Sequence, residues 1–172
     1  TLDLGLHYST TSDYPRYDRL IRYSFGQLHS AEWYYGPQKW FMGNFQLTRL
    51  SSSSSLHDKV KFSAAYQNFQ ESRIDRNLYS EYRRERKENV DAISGNVDFE
   101  KSLSDTSKVF YGLEYIYNHV GSHAKEENIL DSSTQSIATR YPDNSTWQSM
   151  AAYLSFKYKP NSKFTFQSGV RY

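Results

Sequence analysis

Apolar and polar residues alternate with a period of two through most of this chain, which predicts half-exposed β-strands rather than helices. The first such segment runs from Leu2 to Tyr8, with Leu2, Leu4, Leu6 and Tyr8 on one face. Lys39 to Thr48 carries Phe41, Gly43, Phe45 and Leu47, and Lys59 to Gln70 carries Val60, Phe62, Ala64 and Tyr66. Asp91 to Lys101 sets Ile93, Gly95, Val97 and Phe99 against Ala92, Ser94, Asn96 and Asp98. Lys108 to Asn118 aligns Val109, Tyr111, Leu113, Tyr115 and Tyr117; Met150 to Lys159 aligns Ala152, Leu154, Phe156 and Tyr158. Lys163 to Tyr172 closes the series with Phe164, Phe166, Val170 and Tyr172. Ile116 and Tyr153 are apolar exceptions on otherwise polar faces.

The links between these strands sort by parity. Ser51 to Ser55, Ser102 to Ser107 and Lys159 to Ser162 are short, whereas Ser9 to Gln38, Glu71 to Val90 and His119 to Ser149 are long. Short turns at one end of a sheet and long loops at the other are the pattern of outer-membrane barrels. The serine run, flanked by strands of the same kind, reads as a turn rather than a flexible linker. The fold class is therefore all-β: about seven antiparallel strands of a transmembrane β-barrel. An all-β structure in lipid must leave no free edge, and bacterial single-chain barrels usually have an even strand number. An odd set predicts an arc of a larger barrel, with the apolar stripes toward lipid and Asp98, Glu114, Lys157 and Arg171 toward the lumen.

Composition fits that picture. Among 172 residues there are 16 Tyr, 10 Phe and 3 Trp, with only 37% hydrophobic residues and a mean hydropathy of −0.83. Large apolar area thus resides in aromatics, and no segment has the ~18 consecutive apolar residues of a membrane helix. The net charge of +2, spread without a block of one sign, gives no electrostatic case for nucleic acid. Without cysteine there is neither a disulfide frame nor a thiolate metal site. No signal peptide is visible, and the chain opens on one strand and closes on another, which predicts a piece of a longer polypeptide.

Ser9-Thr10-Thr11-Ser12-Asp13-Tyr14-Pro15-Arg16-Tyr17-Asp18-Arg19-Leu20 and Ala31-Glu32-Trp33-Tyr34-Tyr35-Gly36-Pro37-Gln38 resemble the barrel of TonB-dependent outer-membrane receptors of the Bacteroidetes type. Tyr66 to Arg76 and Thr139 to Trp147 are similar to the same subfamily, so the likeness covers nearly the whole chain. The resemblance implies a 22-stranded barrel with an N-terminal plug, importing scarce nutrients such as ferric siderophores, cobalamin or glycans with energy delivered through TonB. Neither the plug nor the short box that contacts TonB is in this sequence. The rival readings are a passive porin-like barrel, a secreted all-β binding module and an outer-membrane hydrolase.

Within the first long loop, Tyr14, Arg16, Tyr17 and Arg19 are candidate ligand contacts, joined by Arg140 and Tyr141 from the last one. Cationic and aromatic side chains together suit an anionic or catecholate ligand. The bland alternative is internal pairing of Arg16 and Arg19 with Asp18 and Asp13. Trp33, Tyr34, Tyr35 and Trp40 read as an aromatic girdle at the outer lipid interface, with substrate contact as the alternative. The run Glu81 to Glu88 reads as a solvated strand extension or loop tip, or else as a contact of Arg83, Arg84, Arg86 and Lys87 with lipopolysaccharide phosphates. His119 and His123 would share a metal only on a helix, which Gly121 interrupts. The Asn144-Ser145-Thr146 match to a glycosylation sequon is incidental in a bacterial loop. No nucleophile elbow, phosphate-binding glycine loop or His-Glu-x-x-His is present, so neither catalysis nor a cofactor is expected. The partners expected are outer-membrane lipid, lipopolysaccharide, the TonB complex and an unidentified nutrient.

Overall fold

In the computed structural model, which describes Thr1–Tyr172, the alternating segments pair into one antiparallel sheet. Its long strands are β1 (Leu2–Thr10), β6 (Lys39–Leu50), β7 (Lys59–Asn77), β8 (Tyr82–Ser104), β9 (Ser107–Asn128), β11 (Ser145–Tyr158) and β12 (Phe166–Arg171). They lie side by side in the order β1-β6-β7-β8-β9-β11-β12. Between β1 and β6 come β2 (Tyr14–Pro15), a helical turn α1 (Tyr17–Leu20), the small hairpin β3 (Tyr23–Ser24) and β4 (Gln27–Leu28), and β5 (Ser30–Tyr35). A further short strand, β10 (Thr134–Ser136), pairs with β9. β1 and β12 are the edges, so the sheet is an open wall.

Register fuses the stripes of single strands into a continuous belt. Leu4 lies opposite Phe45, Phe45 opposite Ala64, Ala64 opposite Gly95 and Gly95 opposite Tyr115. One row further along, Phe62 meets Val97, Val97 meets Leu113 and Leu113 meets Ala152. From Val109 to Tyr117 the belt extends about 27 Å along β9 at 3.4 Å per residue. With the usual strand tilt this makes an apolar band a little over 20 Å tall, matching a bilayer core. These side chains have no second layer to bury against: Leu113 is 55% and Val170 67% exposed, and Ile74 is the only buried hydrophobic side chain. A soluble sandwich would cover them with another sheet.

Aromatics mark both margins of the belt. At one margin Tyr66 donates its hydroxyl to Asp91 Oδ1 (2.6 Å) and Tyr115 to Gln148 Oε1 (3.0 Å). At the other, Phe99 stacks on Tyr111 at 5.0 Å, and the Tyr111 hydroxyl reaches Leu56 O. Each tyrosine keeps its apolar ring on the belt and its hydroxyl beyond it.

The strands are longer than alternation alone predicts. The segment Glu71 to Val90 is not a long loop: β7 and β8 stay paired up to Asp75 and Arg84 and then turn. β9 likewise continues to Asn128, opposite Tyr82. Alternation of charged with polar residues there gives no hydrophobic signal, yet the pairing is the same. A transmembrane strand needs only about 9–11 residues, so β7, β8 and β9 project well past the belt. At the opposite end the serine run is a turn, with Ser54 Oγ accepting from Leu56 N and His57 N. Asp58 in that turn binds Lys101 Nζ (2.7 Å) and Ser102 N (2.7 Å), which holds its carboxyl down at about 2.

The face opposite the belt carries Asp98, Glu114, Lys157 and Arg171. Arg171 bonds Glu114, and Lys61 lies 3.5 Å from Asp98. Tyr153, the aromatic exception, lies over Gly112 and donates to Asp98 Oδ1 at 2.9 Å. A second apolar row crosses this face about 20 Å along β9 from Glu114 at 3.3 Å per residue, just past the Tyr66–Ile93 end of the belt: Trp40 opposite Phe69, Phe69 opposite Val90, and Val90 opposite Val120.

Candidate functional site on the inner face

The aromatic segment Trp33 to Trp40 is displaced from its expected place at the lipid margin. Belt residues on β6 are odd-numbered, so Trp40 falls on the inner face, where it packs on His7 at 4.7 Å and donates to Gln67 Oε1 at 3.2 Å. Trp33 and Tyr35 lie opposite Asp75 and Arg73 and are also on the inner face; Tyr34, opposite Ile74, points outward. Arg73 is about 23 Å along β7 from Tyr66 at 3.3 Å per residue, so β5 stands clear of the belt. Pairing with the extension of β7, which alternation did not reveal, carries these rings above the interface.

The first loop folds onto them. β2 pairs with β5, setting Tyr14 opposite Tyr35 and Pro15 opposite Tyr34. The loop closes at Gly36, whose φ of +137° suits only glycine, and a Cβ there would meet the Asp13 backbone. Ser72 Oγ donates to the Gly36 carbonyl and ties the corner to β7. These contacts bring Arg16 over Trp33 and Tyr35, at 5.2 and 5.7 Å from the ring centres. Arg19 and Arg73 each lie 5.9 Å from the Trp33 ring. Trp33 meets Tyr35 edge-on at 5.0 Å, and Tyr14 lies 5.5 Å from Tyr35. Tyr17 stays outside, 73% exposed.

Charge is unevenly satisfied in this cluster. Arg16 grips Asp18 with two bonds, 2.7 and 2.8 Å, and donates to the Tyr35 hydroxyl at 3.2 Å. That pairing raises the Arg16 pKa and lowers that of Asp18. Internal pairing thus accounts for Arg16 and Asp18. Arg73 has no anionic partner and faces Arg86 across the ladder, while Arg84 and Arg86 share the single carboxylate of Asp75. The inner surface here presents cations beside aromatic faces, an arrangement that attracts planar anionic groups.

The last loop adds a strap. Asp143 Oδ1 accepts Ser122 N (2.8 Å) and Tyr141 N donates to Ser122 Oγ (3.4 Å). Arg140 lies over the Tyr141 ring at 5.2 Å and reaches Glu71 at 3.4 Å. Beneath it Glu88, opposite Glu71, is only 6% exposed and neither carboxylate oxygen has a partner. Arg140 and Tyr141 thus join the same inner surface as Arg16 and Arg19; Trp33 and Tyr35 join it in place of the lipid margin, and Arg73 and Glu88 were not foreseen as part of it. The alternation of Trp33 with Tyr35 was the available signal. His119 and His123 lie on one strand about 13 Å apart, too far to share an ion.

A model of the outer membrane protein beta-barrel family matches residues 49–172, well over half of the chain. The chain belongs to that family. No curated protein and no solved structure matches it. Membership places the chain in the bacterial outer membrane, with the belt against lipid and the opposite face toward the lumen. In such barrels short turns face the periplasm and long loops the exterior, so the Arg16–Trp33–Arg73 cluster stands at the outer mouth.

Burial pushes the Glu88 carboxyl up. The closed strap therefore holds this proton more tightly than the open chain does, and its stability is full below the ordinary glutamate range. It declines as pH rises through the raised value, with Glu71, Arg73, Arg86 and Arg140 as the facing charges. Asp143, lowered by the Ser122 amide, acts oppositely and only at lower pH. Glu88→Gln is expected to stabilise closure at neutral pH by on the order of 1 kcal/mol and to flatten this dependence. Hydrogen exchange at the Ser122 amide, corrected for its intrinsic rate, reads the change.

Proposed function

We propose that this barrel wall belongs to a TonB-dependent importer of a scarce nutrient, with capture by the long outer loops and release driven by movement of a plug inside the lumen. The observation that carries this reading is the apolar row Trp40–Phe69–Val90–Val120 on the lumenal face. A water-filled pore has a polar interior, whereas an apolar row there favours a lumen filled by protein. The cluster of Arg16, Arg19 and Arg73 around Trp33, poised above that row, supports capture of an anionic ligand such as a ferric siderophore. On this reading the seven strands are an arc of a larger closed barrel, and the protein is not an enzyme.

Uptake by cells expressing the full-length protein tests it. Transport of a ferric siderophore, cobalamin or glycan is expected to saturate at low concentration and to stop when TonB is deleted or the proton gradient collapsed. Uptake that rises linearly with concentration and survives an uncoupler would assign a passive porin instead.

A further inference from the structure

The charged run Arg83 to Glu88 is divided by the pleat. Arg84, Arg86 and Glu88 face inward; Arg83, Glu85 and Lys87 face outward, above the lipid belt. On that outer side a cleft of about 360 Å³ is lined by Asp13, Lys39, Ser72, Arg83, Glu85 and Lys87, among others. Arg83 is paired with Glu127 at 2.9 Å and Glu85 with Lys125 at 3.1 Å. Lys39 and Lys87 are in no ion pair or side-chain hydrogen bond, and neither is Asp13, which leaves the unpaired charges of the cleft at two cations to one carboxylate.

Their height identifies what they meet. Lys39 lies opposite Gln70, and Lys87 opposite Ser72, on successive outward positions of β7. Measured along the strands from Tyr66 and Ile93, these positions are about 13 and 20 Å up at 3.3 Å per residue. The row of Asn68, Asp91 and His119 separates them from the belt and marks its polar margin. Strand tilt brings both lysines into or just above the headgroup layer, which is several ångströms thick on each side of the hydrocarbon. A lysine there extends its stem along the wall and its ammonium toward anionic headgroups. The small side chain of Ser72 between them, itself bonded to Gly36, leaves the cleft open.

We propose that Lys39 and Lys87 clamp a phosphate on the headgroup of an outer-leaflet glycolipid, holding the lipid against the outer wall of β6–β8. This inference rests on the outer-membrane location and is independent of how the lumen transports. It commits to a lipid-borne phosphate because the cleft faces the leaflet and not the lumen.

The test uses the full-length protein purified in detergent, with native mass spectrometry against a bis-phosphorylated lipid A and its dephosphorylated counterpart. The wild type is expected to retain the phosphorylated lipid preferentially. The Lys39→Ala, Lys87→Ala double variant is expected to lose about thirty-fold in affinity for it, as removal of two lysines from an anionic surface implies. The Lys39→Arg, Lys87→Arg variant is expected to keep it, and heat-modifiable gel migration confirms that each variant is folded. Equal binding of both lipids, or an unchanged double alanine variant, would overturn the proposal. So would displacement by millimolar inorganic phosphate, which would show a site for free anion. If the double alanine variant fails to fold, phosphorylated lipid protecting Lys87 of the wild type from amine labelling supports the clamp, and equal protection by the dephosphorylated lipid refutes it.

Discussion

Replacing Gly112 by leucine is expected to cost the barrel about 3 kcal/mol or to block its assembly. Gly112 sits on the lumenal face of β9, opposite Asp98 on one side and Tyr153 on the other. A Cβ at this position would lie 2.5 Å from Val97 O and 2.6 Å from Tyr153 Cε1. The Tyr153 ring can swing away, but the Val97 carbonyl is held by the ladder, so the strand itself has to shift as well. Moving that ring breaks its 2.9 Å hydrogen bond to Asp98 and uncovers the strand pair beneath. Gly112→Ala is the milder version, with an expected loss nearer 1 kcal/mol. Removing the ring as well, in Gly112→Ala with Tyr153→Ser, is expected to be less damaging than the sum of the single changes, because neighbours in contact are not additive. Denaturant unfolding in detergent, followed by gel migration of unheated samples, measures each of these; additive losses would count against the ring-over-glycine account.

Arg16→Ala combined with Arg73→Ala is expected to weaken ligand capture by about 100-fold while leaving the barrel folded. Each guanidinium lies within 6 Å of the Trp33 ring, and charge-assisted contacts of this kind are worth about 1.5 kcal/mol or more apiece. Arg73 is the more informative of the two. It is in no ion pair, so its removal relieves repulsion from Arg86 and withdraws only one of the cations that face Glu88. Arg16 anchors Asp18 and Tyr35, so Arg16→Ala alone also loosens the loop. Equilibrium binding of the nutrient identified by uptake, with Arg73→Lys for comparison, distinguishes these roles. Lysine keeps the charge but not the planar fork, and a lysine variant as weak as alanine would assign recognition to the guanidinium plane. Full affinity in Arg73→Ala would place the ligand elsewhere.

Strand cores and their faces were legible in the sequence because period-two alternation is a local property, and lipid on one side enforces it. Leu113 against Glu114, or Val97 against Asp98, needs no tertiary information to be sorted. Of the long links, only the first and the last marked one end of the barrel, since the Glu71 to Val90 segment is paired strand closed by a short turn. Alternation stops being informative where neither face is apolar. Above the belt, Glu71 to Asn77 (Ile74 apart) and Arg83 to Asn89 are polar on both sides, so two paired strands looked like a loop. The Ala31 to Trp40 segment misled for a related reason: its rings suit an interface, but their height is set by partners on β7 that are distant in sequence.

Sequence by itself therefore determined the all-β class and the lipid-facing belt, since both follow from which residue types sit two apart, and the long first and last loops oriented the wall. Only the tertiary structure decided which charges meet. The run Arg83 to Glu88 reads as one patch, yet pleating sends alternate members to the lumen and to the leaflet. Arg16, Trp33 and Arg73 become neighbours because β5 pairs with an extension that hydrophobicity does not mark. Burial of Glu88 arises from a strap that crosses adjacent strands to Glu71, and burial of this kind depends on the packed surroundings rather than on any residue's own neighbours in the chain.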